Sequence, residues 1–233
     1  MTRLNNLVVL ISIWLPLSVA GAAAQSTAPA DFSGLWIGPS AADPALRTLY
    51  GKELPLTAEG KERLRTVDYA QDPIAVCLPM GPTRGYSFPF QIVQGKDVVV
   101  IAFEFQHTYR LIYMDGRKAP ADIEEYPEWM GFSSGRWEGE TLVIDTIAID
   151  DRTWLDPAVP HSRRLRLTER LRKVDDNRIE WGITVDDPVF FTAPWTVVRP
   201  VRRAGSDERI LSYSCNENNK FDPSALLPTG DRK

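Results

Sequence analysis

Cysteine and histidine are scarce in this 233-residue sequence, with two of each: Cys77, Cys215, His107 and His161. Two His with Asp or Glu could hold zinc or iron, but no H-x-H or H-E-x-x-H spacing occurs to support a metal site. Excess positive charge is missing too. The 27 Lys and Arg fall short of the 31 Asp and Glu, which leaves a net charge of −4 and no basic field to displace counterions from nucleic acid. Neither a G-x-G-x-x-G nor a Walker pattern is present, which removes the common dinucleotide and phosphate cradles. No repeat is visible, and after residue 24 no apolar run is long enough to span a bilayer. The expectation is therefore no cofactor, no bound metal, and a small molecule as partner.

Aromatic residues are plentiful: 7 Trp, 7 Tyr and 9 Phe are ample for a folded core, and 18 Pro with 15 Gly promise many turns. The start of the chain has a separate purpose. Arg3 precedes an apolar run from Leu7 to Ala20, and Ala22-Ala23-Ala24 supplies an A-x-A site. That pattern predicts a secretory signal cleaved after residue 24 and delivery outside the cytoplasm, to a bacterial periplasm. In an oxidising compartment the even pair Cys77 and Cys215 is expected to form one disulfide, with two separate buried thiols as the alternative.

Residues 25–31 read as a linker, 32–220 as one domain and 221–233 as a tail. Thr57 to Val67 is the best helix, with Thr57 as N-cap, acids early and bases late. From Phe88 the signal is β. Phe90–Val93 and Val98–Ile101 flank Gly95-Lys96-Asp97 as a hairpin, and the second strand is expected to run on through Phe105, Tyr109 and Tyr113, bent near His107. Residues 117–128 form an acidic, proline-flanked loop. Trp129–Trp137 with Thr141–Ile149, and Leu165–Val174 with Ile179–Val185, read as further hairpins; Trp195–Val201 with Ile210–Cys215 reads as a fourth. About eight to ten antiparallel strands in sequence order predict an all-β, up-and-down barrel with one short helix, because closure removes exposed edges. A β-sandwich is the alternative.

Two resemblances join this reading. Gly34-Leu35-Trp36, at the first strand, resembles the G-x-W of lipocalins and their calycin relatives. It implies a Trp that closes one barrel end against an Arg near the C-terminus, with Arg199, Arg202 and Arg209 as candidates. A broader pattern runs through PFQIVQ (89–94), DGR (115–117), GRWEGETLVIDT (135–146), DRTWLD (151–156), PHS (160–162), ER (169–170) and CNENN (215–219). It resembles a family of exported bacterial proteins of uncharacterised activity over about residues 32–220. That resemblance implies export and assigns no reaction.

Strand alternation nominates the chemistry. Leu165, Leu167, Glu169 and Leu171 share a face, opposite Arg164, Arg166, Arg170 and Arg172. The leucine face must be the core, so Glu169 points inward, either as a general acid/base or in an internal ion pair with an Arg. His107 lines the cavity if its strand is regular; a register flip there brings Arg110 and Glu104 inward instead. His161 sits in a loop after Asp150, Asp151 and Asp156, with a pKa range suited to proton transfer. Asp145 has apolar neighbours on both faces, which leaves its direction open. Phe105, Tyr109, Tyr113, Trp129 and Trp154 supply aromatic surface for a ligand.

Three functions fit. One is a cofactor-free isomerase, lyase, cyclase or hydrolase acting on a small hydrophobic or aromatic molecule. Glu169, His161, His107 and Asp151 would move protons, and Arg110 would stabilise negative charge. Phe105, Tyr109, Tyr113, Trp129, Trp154, Glu104 and Asp145 would bind the substrate. The second is a lipocalin-like carrier that binds such a molecule without turnover. The third is an interaction protein using the acidic loop at 122–128, a reading that a solidly packed interior would favour.

Overall fold

The computed structural model describes residues 29–39, 54–157 and 159–215. The export segment, residues 25–28 of the linker and the tail from 221 lie outside the described residues. Eleven strands form among the described residues: β1 (Gly34–Ile37), β2 (Pro89–Gln94), β3 (Val98–Phe103), β4 (Tyr109–Tyr113), β5 (Phe132–Glu138), β6 (Thr141–Ile147), β7 (Trp154–Asp156), β8 (Val159–Pro160), β9 (Arg166–Asp175), β10 (Arg178–Asp186) and β11 (Trp195–Arg203). The helix α1 (Ala58–Thr66) starts where expected, since the Thr57 hydroxyl accepts the Gly60 N–H at 3.0 Å.

Nine strands close a barrel in the order β1-β11-β10-β9-β6-β5-β4-β3-β2, and β7 and β8 form a separate small sheet. The all-β barrel with one short helix is therefore the fold, and the sandwich is not. A ring of nine strands cannot alternate direction all the way round, so one pair must run parallel. That pair is β4 and β5, joined at Ile112–Ser133 and Tyr113–Ser134, with residues 114–131 as the crossover that a parallel pair needs. The purely antiparallel expectation is corrected at this joint.

Two further expectations change. The predicted long strand through Phe105 is two strands, β3 and β4, paired antiparallel from Val98–Tyr113 to Ala102–Tyr109. Gln106 and His107 both take left-handed backbone conformations (φ 57° and 51°), and this reverses the chain without a glycine. The predicted fourth hairpin is also absent. Residues 210–215 pair with no strand and instead form a strap over the β3–β4 turn. Leu211 N–H donates to Glu104 at 2.8 Å, Tyr213 N–H donates to His107 Nε2 at 3.1 Å, and the Tyr213 ring stacks on Phe105 with centres 5.0 Å apart. The strap ends in the expected disulfide, Cys77–Cys215, which spans 138 residues of sequence.

One end of the barrel is plugged by Trp36. Its ring is fully buried, its N–H donates to the Phe32 carbonyl at 2.8 Å, and the Arg203 guanidinium lies 4.4 Å above it. The stacking partner is thus Arg203, and not Arg199, Arg202 or Arg209. Gly34 makes room for it: its φ is 136°, and a Cβ there would sit 2.3 Å from an Arg203 nitrogen. The interior between the ends is filled rather than hollow. Trp36, Phe90, Phe103, Ile101, Leu171 and Trp181 are each no more than 2% exposed.

The disulfide closes so long a loop that its loss is expected to cost about 2–5 kcal/mol. Urea unfolding of the Cys77→Ser/Cys215→Ser variant against the oxidised protein measures this directly.

Candidate functional site

Glu169 lies on β9 with Leu167 and Leu171, facing inward as the alternation requires, and is fully buried. Its partner is Arg110 of β4, also inside because the turn at Phe105–His107 resets the strand faces. Arg110 Nη1 donates to Glu169 Oε1 at 3.1 Å, and Nη2 donates to Oε2. The remaining guanidinium protons are also placed. Nε donates to Ser133 Oγ at 3.0 Å, Nη1 to the Tyr86 hydroxyl at 2.5 Å and Nη2 to Thr146 Oγ1 at 2.6 Å. Oε1 of Glu169 further accepts the Trp181 indole N–H at 3.1 Å and the Tyr86 hydroxyl at 3.0 Å. Burial pushes the Tyr86 phenol well above its ordinary value, which keeps it a donor. Burial also works against the charge of Arg110, but the adjacent Glu169 more than offsets it and raises the Arg110 pKa. Both charges are therefore paired and hydrogen-bonded. This is the internal ion pair; Arg110 borders an outer cleft together with Tyr109 and Tyr113, and Glu169 does not line it.

The string G-x-S-x-G at 131–135 carries no nucleophile. Ser133 is fully buried on β5, not on a strand-to-helix elbow, and its hydroxyl belongs to the Arg110 network.

His161 is buried as well, at 4% exposed. Its Nδ1–H donates to the Ser162 carbonyl at 2.9 Å, and Nε2 lies 2.8 Å from the Thr153 hydroxyl. Burial pushes the imidazole below its ordinary value, against the pull of the Ser162 carbonyl and of Asp187, Asp151 and Asp150. The neutral ring offers Nε2 as an acceptor, and the single Thr153 proton is shared between it and the Asp150 carbonyl, each 2.8 Å away. A buried, neutral histidine with both ring nitrogens in contact with protein groups is a packing element.

The other nominated residues are scattered. His107 is exposed under the strap, and Glu104 anchors the strap from the same turn. Asp151 is at the surface, 3.5 Å from Arg163. Asp145 points outward, where Thr168 donates to it at 2.7 Å and Arg136 pairs with it. Tyr109 is 64% exposed, and Tyr113 stacks on Phe132 outside the barrel, so neither lines the interior. Phe105 packs in a satellite cluster with Ile74 and Met80. Trp129 is covered by Arg152 at 4.1 Å, and Trp154 is buried in β7. The nominated acids and bases do not converge.

A different set of residues does converge, at the end of β11 away from Arg203. Leu54, Leu155, Val159, Ile183, Val185 and Val197 wall a cleft of about 410 Å³ counting its open mouth, of which about 20 Å³ is open to the centre of a water molecule. Thr83, Asp156, Trp195 and Arg199 complete it. Arg199 is 3% exposed; its Nη1 donates to the Thr83 carbonyl and its Nη2 to Asp156 Oδ2, each at 3.1 Å. The Nε of Arg199 and the Nε1 of Trp195 are buried and have no partner. Trp195, Val197, Arg199 and Val201 share one face of β11, so the alternation that found Glu169 also marks Arg199. Chemically, the cleft has apolar walls, and two of its residues carry buried N–H donors without a partner. Its one carboxylate, Asp156, is already held by Arg199.

Among the described residues no group of three His, Cys, Asp or Glu is placed to hold a metal, and no helix is long and apolar enough to cross a membrane. No family model matches the chain, and no curated protein matches it.

Two outcomes follow from the buried charges. Glu169→Leu leaves Arg110 charged and alone inside the barrel and is expected to cost about 3–5 kcal/mol, whereas Arg110→Met/Glu169→Leu recovers most of that loss. Denaturant unfolding of the unaltered protein and the two variants reads out both differences. For His161 the folded pKa is lowered, so its contribution is complete above pH 6.5 and fades as pH falls, when only the unfolded chain gains the proton. Stability should fall by up to about 1.4 kcal/mol per pH unit below 6.5. A melting-temperature series from pH 7.5 to 5 should flatten in His161→Gln if that protein folds.

Proposed function

We propose that this chain is an exported barrel that binds one small, mainly apolar molecule at the cleft beside Trp195 and Arg199 and releases it unchanged. The observation that carries this reading is the cleft's composition: apolar walls around buried N–H donors that nothing in the protein satisfies. An unpaired buried donor costs free energy, and a ligand acceptor would recover it. The enzyme reading is weaker on the same geometry. Glu169 and Arg110 satisfy one another away from the cleft, His161 is closed in, and Asp151 and His107 are on the surface. The filled interior excludes a deep calyx and counts toward the interaction reading; the unpaired donors beside the cleft are what favour a small ligand at the barrel end. The disulfide supports export into an oxidising compartment.

A ligand that binds only the folded state raises the melting temperature by mass action, by about 2.7 kcal/mol of stability at a hundredfold excess over Kd. Oxidised protein screened against small aromatic and terpenoid compounds should show such shifts, with every bound compound recovered unchanged by mass spectrometry. Leu54→Trp, which fills the cleft from its rim, should abolish them. Recovery of a converted compound would restore the enzyme reading.

A further inference from the structure

We infer that the cleft selects neutral carbonyl compounds (ketones, esters and lactones) over carboxylates of the same shape. The inference rests on the binding reading above and names its ligand class. Two observations set it. The first is the pair of unpartnered donors, Arg199 Nε–H and Trp195 Nε1–H, each buried on a residue that lines the same cleft. They call for acceptor oxygen on the ligand. The enclosed space of about 20 Å³ suits one oxygen or one water, and the apolar side chains lie around it.

The second observation is the state of the arginine's charge. Arg199 ordinarily recruits carboxylates, and a bare guanidinium here would do so. Asp156 already occupies Nη2, 3.1 Å away, and the Thr83 carbonyl occupies Nη1 at the same distance. Both terminal nitrogens therefore already have a partner, and Nε is the one nitrogen of the guanidinium without one. A ligand carboxylate would enter an apolar cleft beside Asp156 as an unbalanced negative charge, and burying it is costly. A neutral carbonyl takes the free N–H without that penalty. Trp195 is held on its other side by the Phe191 ring, 5.4 Å away and edge-on, which fixes the indole without using its N–H.

The test uses the full oxidised protein and four matched probes: acetophenone, methyl benzoate, sodium benzoate and ethylbenzene, each titrated by calorimetry. Acetophenone and methyl benzoate should bind at least about threefold to tenfold more tightly than ethylbenzene, the worth of a hydrogen bond to a donor that would otherwise stay unmade. Benzoate should bind more weakly than methyl benzoate. Trp195→Phe keeps the ring and removes one donor, and should narrow the gap between acetophenone and ethylbenzene. Asp156→Asn frees the arginine's charge and should reverse the order of benzoate and methyl benzoate. The Asp156→Asn result counts once circular dichroism shows the variant folded, and the wild-type order stands as a test without it. Benzoate tighter than methyl benzoate in the unaltered protein overturns the inference. So does equal binding of acetophenone and ethylbenzene, although the cleft then remains a binding site. If none of the four binds at millimolar concentration, the binding reading falls together with the inference.

Discussion

The fold depends on placing one ion pair in a space that water does not enter. Glu169 and Arg110 come from strands on different sides of the ring, and each must arrive with every oxygen and proton assigned. Tyr86, Ser133, Thr146 and Trp181 complete that assignment. An apolar pair of equal volume would hold the barrel as well or better, whereas half of this one would not. The consequence is a constraint on register. A slip of β4 or β9 by one residue would move a charge from the interior to the surface and leave its partner alone. The pair thus ties the strand pairing on both sides of the parallel β4–β5 joint, where hydrogen bonding itself is sparse.

The two barrel ends use arginine in opposite ways. At one end Arg203 lies flat on Trp36, its charge shared with the ring and with the Ser33 and Asp176 carbonyls, and the end is sealed. At the other, Arg199 reaches the Thr83 carbonyl and Asp156 but leaves its Nε unused, and the end stays partly open. Both side chains belong to the inward face of β11, Arg199 at mid-strand and Arg203 at its end. A filled middle joins the two, so a ligand at the open end meets a wall rather than a channel. That arrangement suits a shallow seat for a small molecule better than a deep calyx.

Much of this was legible in the sequence where alternation is regular. Leu165, Leu167 and Leu171 put Glu169 inside, and the turn residues placed the hairpins around β5–β6 and β9–β10. The G-x-W string located the plugged end, although the stacking arginine is the one at the very end of β11. Arg110 was harder. Its inward direction depends on a reversal made by Gln106 and His107 in left-handed conformations, residues that carry no turn signal comparable to glycine. The parallel joint was invisible as well, because it follows from the strand count of the closed ring and not from any local pattern. Whether the interior is hollow depends on summed side-chain volumes across nine strands, which no stretch of sequence reveals. For that reason the ring of nominated acids and aromatics around a central cavity dissolved into a buried pair, a packed histidine and surface residues.

The strap and its disulfide also bear on how quickly the ring can close. β1 and β11 are the first and last strands of the barrel, yet they must meet edge to edge, at Trp36–Arg203 and Ile37–Arg202. Along the backbone that contact lies almost the length of the domain away. Through the Cys77–Cys215 bond the covalent path from β1 to β11 shrinks to about a third, with the smaller loop-closure entropy that a shorter path brings. Oxidation therefore acts as a timing device: thiols joined early turn the slowest encounter in a high-contact-order topology into a much more local one. A chain kept reduced must find the same contact by an unassisted search, with its strand edges exposed for longer.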